Sequence, residues 1–216
     1  MYKAIIFDLD GLLIDSEVIS YKLYQDLIRP YGYSFSIEDY ANNYSGKTAL
    51  GNMQAIIQRF QLSITVNQGL EFIAKHEKKY FEKGVALKTG VKELLEYLKK
   101  NHYKIVLASS SIKERAMMVL KQHQIELYFD EMVFGTEVKN GKPHPDIFIK
   151  ACQKAHVNAQ EALVLEDSEA GIKAAYLADI PVICIPDMRA PLESFQKMTI
   201  RIFPNLLDVI TYLNEN

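Results

Sequence analysis

Cysteine is nearly absent from this chain. Its 216 residues include only Cys152 and Cys184, far apart and without a CxxC spacing. That argues against a disulfide scaffold or a thiolate metal site, and two free thiols suit a reducing cytoplasm. An excess of charge of one sign is also lacking. Lys and Arg number 25 against 27 Asp and Glu, for a net charge of −2, so no global field draws the chain to nucleic acid or an anionic membrane. Basic residues are scattered rather than blocked. No stretch approaches the roughly 18 apolar residues that a membrane span requires. The opening run Met1 to Phe7 is apolar, but Asp8 and Asp10 interrupt it too early for a signal-peptide core. There is no internal repeat and no low-complexity segment. The expectation is a cytoplasmic protein with neither nucleic-acid nor membrane partners; its oligomeric state is left open, and a monomer is compatible with the sequence.

What is present is an ordinary globular composition, 49% hydrophobic and 24% charged, which argues for a folded domain over a disordered one. Short, largely apolar runs occur at Ala4–Phe7, Lys104–Ala108, Met132–Phe134, Ala162–Leu165 and Val182–Ile185. Helical patterns separate them: Val91, Leu94, Leu95 and Leu98 follow the i, i+3, i+4, i+7 rule of one buried face, as do Leu206, Ile210 and Leu213. Apolar strands alternating with helices predict an α/β fold, a Rossmann-like parallel sheet covered on both faces. Residues 1–15 and 84–216 carry that pattern. Residues 16–83 break it, show no convincing strand, and read as a small all-helical insert after the first strand.

The chemistry gathers where the predicted strands end. Asp8-Leu9-Asp10-Gly11 follows the first strand, and residues i and i+2 of a strand point to one side, so both carboxylates leave together. Two carboxylates so close repel unless a cation joins them or one keeps a proton. After the second strand come Ser109, Ser110 and Ser111. Ser111 with Glu114 reads as a capping box that opens a helix, while Ser109 is left for a ligand. After the third comes Gly141-Lys142-Pro143-His144-Pro145, a stiffened loop able to hold a lysine over a site. After the fourth comes Glu166-Asp167-Ser168, and such an oxygen-rich set suits Mg²⁺ better than zinc. In open parallel sheets ligands bind beyond the carboxyl ends of the strands, and four motifs fall there.

Together these residues resemble the haloacid dehalogenase superfamily, in its branch with a small helical cap after the first strand. The stretch Asp8-Leu9-Asp10-Gly11-Leu12-Leu13-Ile14-Asp15-Ser16-Glu17 is similar to that family's first motif. Ser109, Lys142 with Pro143, and Glu166-Asp167 match the second, third and fourth in order. The resemblance implies that Asp8 is a nucleophile forming an aspartyl phosphate and Asp10 a general acid and base. It implies that Asp8, the Asp10 carbonyl, Glu166 and Asp167 hold Mg²⁺, with Glu166 as a ligand or one shell removed, and that Ser109, Ser110 and Lys142 bind the phosphoryl oxygens. An acid at Asp10 favours phosphoryl transfer, since a dehalogenase has no poor alkoxide leaving group to protonate.

The implied substrate is a small phosphorylated metabolite, such as a sugar phosphate, chosen by the helical cap. Candidate substrate contacts there are Glu17, Gly46 and Lys47, the last two within Tyr44-Ser45-Gly46-Lys47-Thr48 ahead of a helix from 48 to 60. The alternative is a sugar-phosphate mutase of the β-phosphoglucomutase type. The positions that would carry its cap His and Arg fall on Ser20 and Ala49, which favours the phosphatase. A phosphate-binding regulatory module without turnover ranks last, because Asp8, Asp10, Lys142 and Asp167 are all present.

Overall fold

The computed structural model describes residues 1–215. They divide into two compact units: Met1–Asp15 with the chain from Ala86 onward, and Ser16–Val85.

The first unit begins with β1 (Ala4–Phe7), every residue of which is buried. The second unit contains α1 (Ser16–Ile28), α2 (Ile37–Asn43), α3 (Ala49–Phe60) and α4 (Val66–Glu82), and no strand among its described residues. Caps at its helix starts come from the sequence. Ser36 accepts from Asp39 N and Thr48 from Gly51 N, while Thr65 and Gln68 form a reciprocal capping box. Its interior is aromatic, with Phe35, Tyr40, Tyr44 and Phe60 stacked or tilted at 5.5–6.3 Å between centroids.

The first unit resumes where residues 86–88 lie beside residues 13–15. Asp15 N donates to Ala86 O, Lys88 N donates to Leu13 O, and Ile14 bridges Leu87. This pairing closes the first unit on residue 86, where the sequence pattern places the return at residue 84. The chain then runs α5 (Val91–Lys100), β2 (Lys104–Ser109), α6 (Lys113–Gln122), β3 (Glu131–Phe134), α7 (Asp146–Ala155), β4 (Ala162–Glu166), α8 (Glu169–Leu177), β5 (Val182–Cys184), α9 (Glu193–Gln196), β6 (Arg201–Ile202) and α10 (Leu207–Glu215).

The six strands form one sheet in the order β3-β2-β1-β4-β5-β6, and every pairing is parallel. Alternation within each strand supplies both faces. Ala4, Ile6, Val106, Ala108, Val133 and Val164 pack with Ile147, Phe148 and Ala151 of α7 and Ile172 and Ala175 of α8. Leu94, Leu95 and Leu98 of α5 are fully buried, as the helical spacing predicts. Among the described residues no helix is long and apolar enough to cross a membrane. Only β6 has no counterpart in the sequence reading. Its two residues are exposed at the sheet edge, so no apolar run marks it.

Gly90 shows how tightly α5 and α10 meet. Its φ is +88°, and a Cβ there would lie 2.7 Å from the Leu207 backbone nitrogen. Both the left-handed backbone and the missing side chain are required. Gly90→Ala should therefore lower unfolding free energy by about 1–3 kcal/mol, read as a shifted urea midpoint with unchanged slope. A midpoint equal to wild type would show that the contact relaxes at no cost.

Candidate active site

The sheet register assembles the site. Phe7 pairs with Leu107 on one side and Leu165 on the other, so Asp8 emerges between Ala108 and Glu166. Asp8 N donates to Leu165 O at 3.2 Å. The strand order reverses direction at β1 and β4, so the two adjacent strand ends open a crevice there. Asp8, only 7% exposed, stands at its floor.

Lys142 reaches this floor from the loop after β3. Its side chain is 6% exposed, and Nζ lies 2.5 Å from both Asp8 Oδ1 and Glu166 Oε1 and 3.2 Å from Ala108 O. The Phe148 ring lies beneath, its centroid 4.9 Å from Nζ. Burial alone would depress the lysine's pKa, but the carboxylates of Asp8 and Glu166 outweigh it and hold the ammonium charged. Burial pushes the Asp8 carboxyl up to about 7; Lys142 pulls it down, while Glu166 and Asp10 push it up.

Glu166 and Asp167 end β4. Glu166 is fully buried, and its Oε2 accepts from Asp167 N, Ser168 N and Ser168 Oγ at 3.0–3.1 Å. Ser168 in turn caps α8 by accepting from Gly171 N at 3.0 Å. Asp8, Glu166 and Asp167 each offer an oxygen within 4.8 Å of the other two. Three carboxylates around one ammonium carry a formal surplus of two negative charges, and hard oxygen donors with that surplus fit Mg²⁺. Glu166 already engages Lys142 through one oxygen and the start of α8 through the other. It is thus best suited to anchor Lys142.

The serines take partly different places from those expected. Ser109 is 1% exposed, and its Oγ accepts from Ser111 N at 3.1 Å; Ser110 follows at the exposed end of β2. The capping box at Ser111 is not formed: α6 starts at Lys113 with Ile112 at its cap and no side-chain cap bond. Ser111 Oγ instead donates to Asp10 Oδ2 at 2.7 Å. Beside it stands Arg115, which the sequence reading missed, with Nη1 2.8 Å from Asp10 Oδ2 and Nη2 2.7 Å from Oδ1. It stands in the first turn of α6, from where a long side chain leans back toward the strand ends.

Asp8, Asp10, Ser109, Lys142, Glu166 and Asp167 thus meet at one end of the sheet within the first unit. Glu17, Gly46 and Lys47 belong to the helical unit. There the Glu17 carboxylate accepts from the buried Tyr40 hydroxyl at 2.9 Å. Gly46 has φ +71° and open space where a Cβ would stand, and the exposed Lys47 donates to Asn43 O at 2.7 Å.

Comparison with known proteins agrees with this geometry. The family described as haloacid dehalogenase-like hydrolase matches residues 5–185. A phosphorylated carbohydrates phosphatase of Thermotoga maritima is 31% identical over 178 residues, 82% of either chain. A fructose-1-phosphate phosphatase of Escherichia coli is 26% identical, over 84% of this chain and 95% of its own. A solved β-phosphoglucomutase of Clostridium difficile superposes with a TM-score of 0.76 over 100% of this chain and 96% of its own. At 24% identity that last likeness bears on the fold alone.

Replacing Lys142 by Met keeps most of the stem and deletes the charge, leaving Asp8 and Glu166 buried without their shared partner. Lys142→Met should lower stability in EDTA by about 3–5 kcal/mol at neutral pH. Asp8, whose folded pKa is raised, binds a proton more readily folded than unfolded, and protonation removes its unpartnered charge, so the deficit should shrink as pH falls. Urea titrations between pH 5 and 8 read both effects; a deficit that grew on acidification would contradict this account of the charge cluster.

Proposed function

The chain belongs to the haloacid dehalogenase-like hydrolases and is a phosphatase of that family; from this premise we propose that it removes the phosphoryl group from a small phosphorylated metabolite, in the first place a sugar phosphate, through a phosphorylated Asp8. The observation that carries this reading is the Asp8 carboxylate, buried at the end of the central strand and 2.5 Å from the Lys142 ammonium. The carbohydrate phosphatases among its relatives support the substrate class.

In this mechanism an Asp8 oxygen attacks phosphorus and the ester oxygen leaves with a proton from Asp10. Water then attacks the aspartyl phosphate, Asp10 takes the proton of that water, and the Asp8 carboxylate and inorganic phosphate are released. Lys142, Ser109 and Ser110 bind the phosphoryl oxygens, and Lys142 carries fixed positive charge to the place where negative charge is gathered. Mg²⁺, when held by Asp8, Asp167 and the Asp10 carbonyl, supplies further charge neutralisation. Selection among leaving groups falls to the helical unit, through Glu17, Gly46 and Lys47. The buried free thiols of Cys152 and Cys184 fit a reducing compartment such as the cytoplasm.

Phosphate release from a panel of sugar phosphates and related monoesters in Mg²⁺ tests the proposal. Asp8→Asn should lower turnover by on the order of 10³-fold or more, and EDTA should abolish turnover reversibly. Activity that survived Asp8→Asn would remove the covalent intermediate. Bisphosphate-primed conversion of β-glucose 1-phosphate to glucose 6-phosphate, outpacing hydrolysis, would replace the phosphatase by a mutase.

A further inference from the structure

We propose that Arg115 is a positioning residue, whose guanidinium, braced by Ser111, fixes the Asp10 carboxylate in the orientation from which it exchanges protons during turnover. The inference deepens the phosphatase reading and rests on it, because it needs Asp10 to be the acid and base.

Asp10 lies beyond the end of β1, in a turn whose next residue, Gly11, has φ +80°. Its backbone bridges Ile14, and its side chain is 34% exposed. A short carboxylate so placed would rotate among several staggered states. Proton transfer tolerates little of this, since a misplacement of about 1 Å costs roughly 10²-fold in rate.

Arg115 removes the freedom. Its two terminal nitrogens meet the two Asp10 oxygens at 2.8 and 2.7 Å, the forked geometry in which a planar cation fixes both distance and plane. Ser111 Oγ donates to the Oδ2 that Nη1 also meets, and Arg115 Nη1 lies 2.5 Å from that hydroxyl. The triangle closes on itself. Helical geometry explains why this arginine serves: side chains lean toward the helix N-terminus, so one at the first turn of α6 reaches back past Ser111 to the strand ends. Lysine would offer the charge without the fork.

In the affected step, the water oxygen bonds to phosphorus while the bond from phosphorus to the Asp8 oxygen breaks. One water proton passes to Asp10, and phosphate departs. A wandering Asp10 slows this step whatever the leaving group was. With p-nitrophenyl phosphate, whose leaving group needs little protonation, the phosphorylated enzyme should therefore form at a normal rate and accumulate.

The experiment is a cycle of Arg115→Met, Asp10→Asn and the double variant, with Arg115→Lys as a milder fourth, each checked for an unchanged unfolding midpoint. Arg115→Met should lower kcat on an alkyl phosphate by roughly 10–100-fold with KM changed less than threefold, and acid quench should trap more phosphorylated enzyme from p-nitrophenyl phosphate. Arg115→Lys should recover part of the loss, and the double variant should be no slower than Asp10→Asn alone. If Arg115→Met turned over like wild type while Asp10→Asn were impaired, the role of Arg115 would fall and the phosphatase reading would stand. Losses that multiplied in the double variant would assign Arg115 a structural role and overturn the proposal equally. An unimpaired Asp10→Asn would sink the acid–base reading itself.

Discussion

The arrangement depends on one buried cation. Lys142 is shared between Asp8 and Glu166 at 2.5 Å each in a place from which water is excluded, and burial of such a group is tolerated only when its donors are satisfied. The three donors of its ammonium go to two carboxylates and the Ala108 carbonyl. Buried ion pairs are poor sources of stability, because desolvation consumes much of the Coulomb gain. A cluster with a surplus of carboxylate is poorer still. Its physical sense is chemical: fixed positive charge is held beside the Asp8 carboxylate, and an oxygen-rich cluster with this charge balance suits a divalent cation.

The sheet makes this geometry reproducible. β1 is central, paired on both sides in one register, so the position of Asp8 relative to Ala108 and Glu166 is set by backbone hydrogen bonds and not by side-chain adjustment. A slip of one residue would turn Asp8 toward a helix-covered face. The helices then set direction. The turn into α8 aims the Asp167 and Ser168 amides at Glu166, while α6 starts just after the serines and brings Arg115 back over the strand ends. Asp8, Ser109 and Glu166 stand at or next to the last residue of a strand and Arg115 in the first turn of a helix, while Lys142 comes in from the loop between β3 and α7.

Much of this was legible in the sequence, and the reason differs from residue to residue. The first five strands announce themselves because both faces of a parallel sheet are covered, which leaves apolar runs such as those at 4–7 and 162–165. β6, being short and exposed, carries no such mark. Asp8, Lys142 and Glu166 were legible as strand-end polar groups, but their mutual contact, across 134 and 24 residues of chain, is a product of strand order. Ser111 was misread because a serine followed by a glutamate three residues on is a good local cap. The tertiary partner Asp10, 101 residues away, won that competition. Arg115 was invisible for the same reason: a lone arginine on an amphipathic helix is normally solvated surface, and only the fold supplies its partner.

The glycines are the half of these motifs that chemistry alone does not predict. A Cβ at Gly11 would overlap the Asp167 carboxylate, and a Cβ at Gly171 would overlap that of Glu166. The acids at the end of β4 are thus pressed against two backbone surfaces that only glycine provides. This is why Gly11 follows the paired aspartates directly and why Gly171 stands one helical turn past Asp167: the spacings measure the room a carboxylate needs. Widening either position would displace Asp167 or Glu166 within the carboxylate cluster they form with Asp8. The pattern of acids specifies which atoms can react, and the pattern of glycines specifies where those atoms are allowed to be.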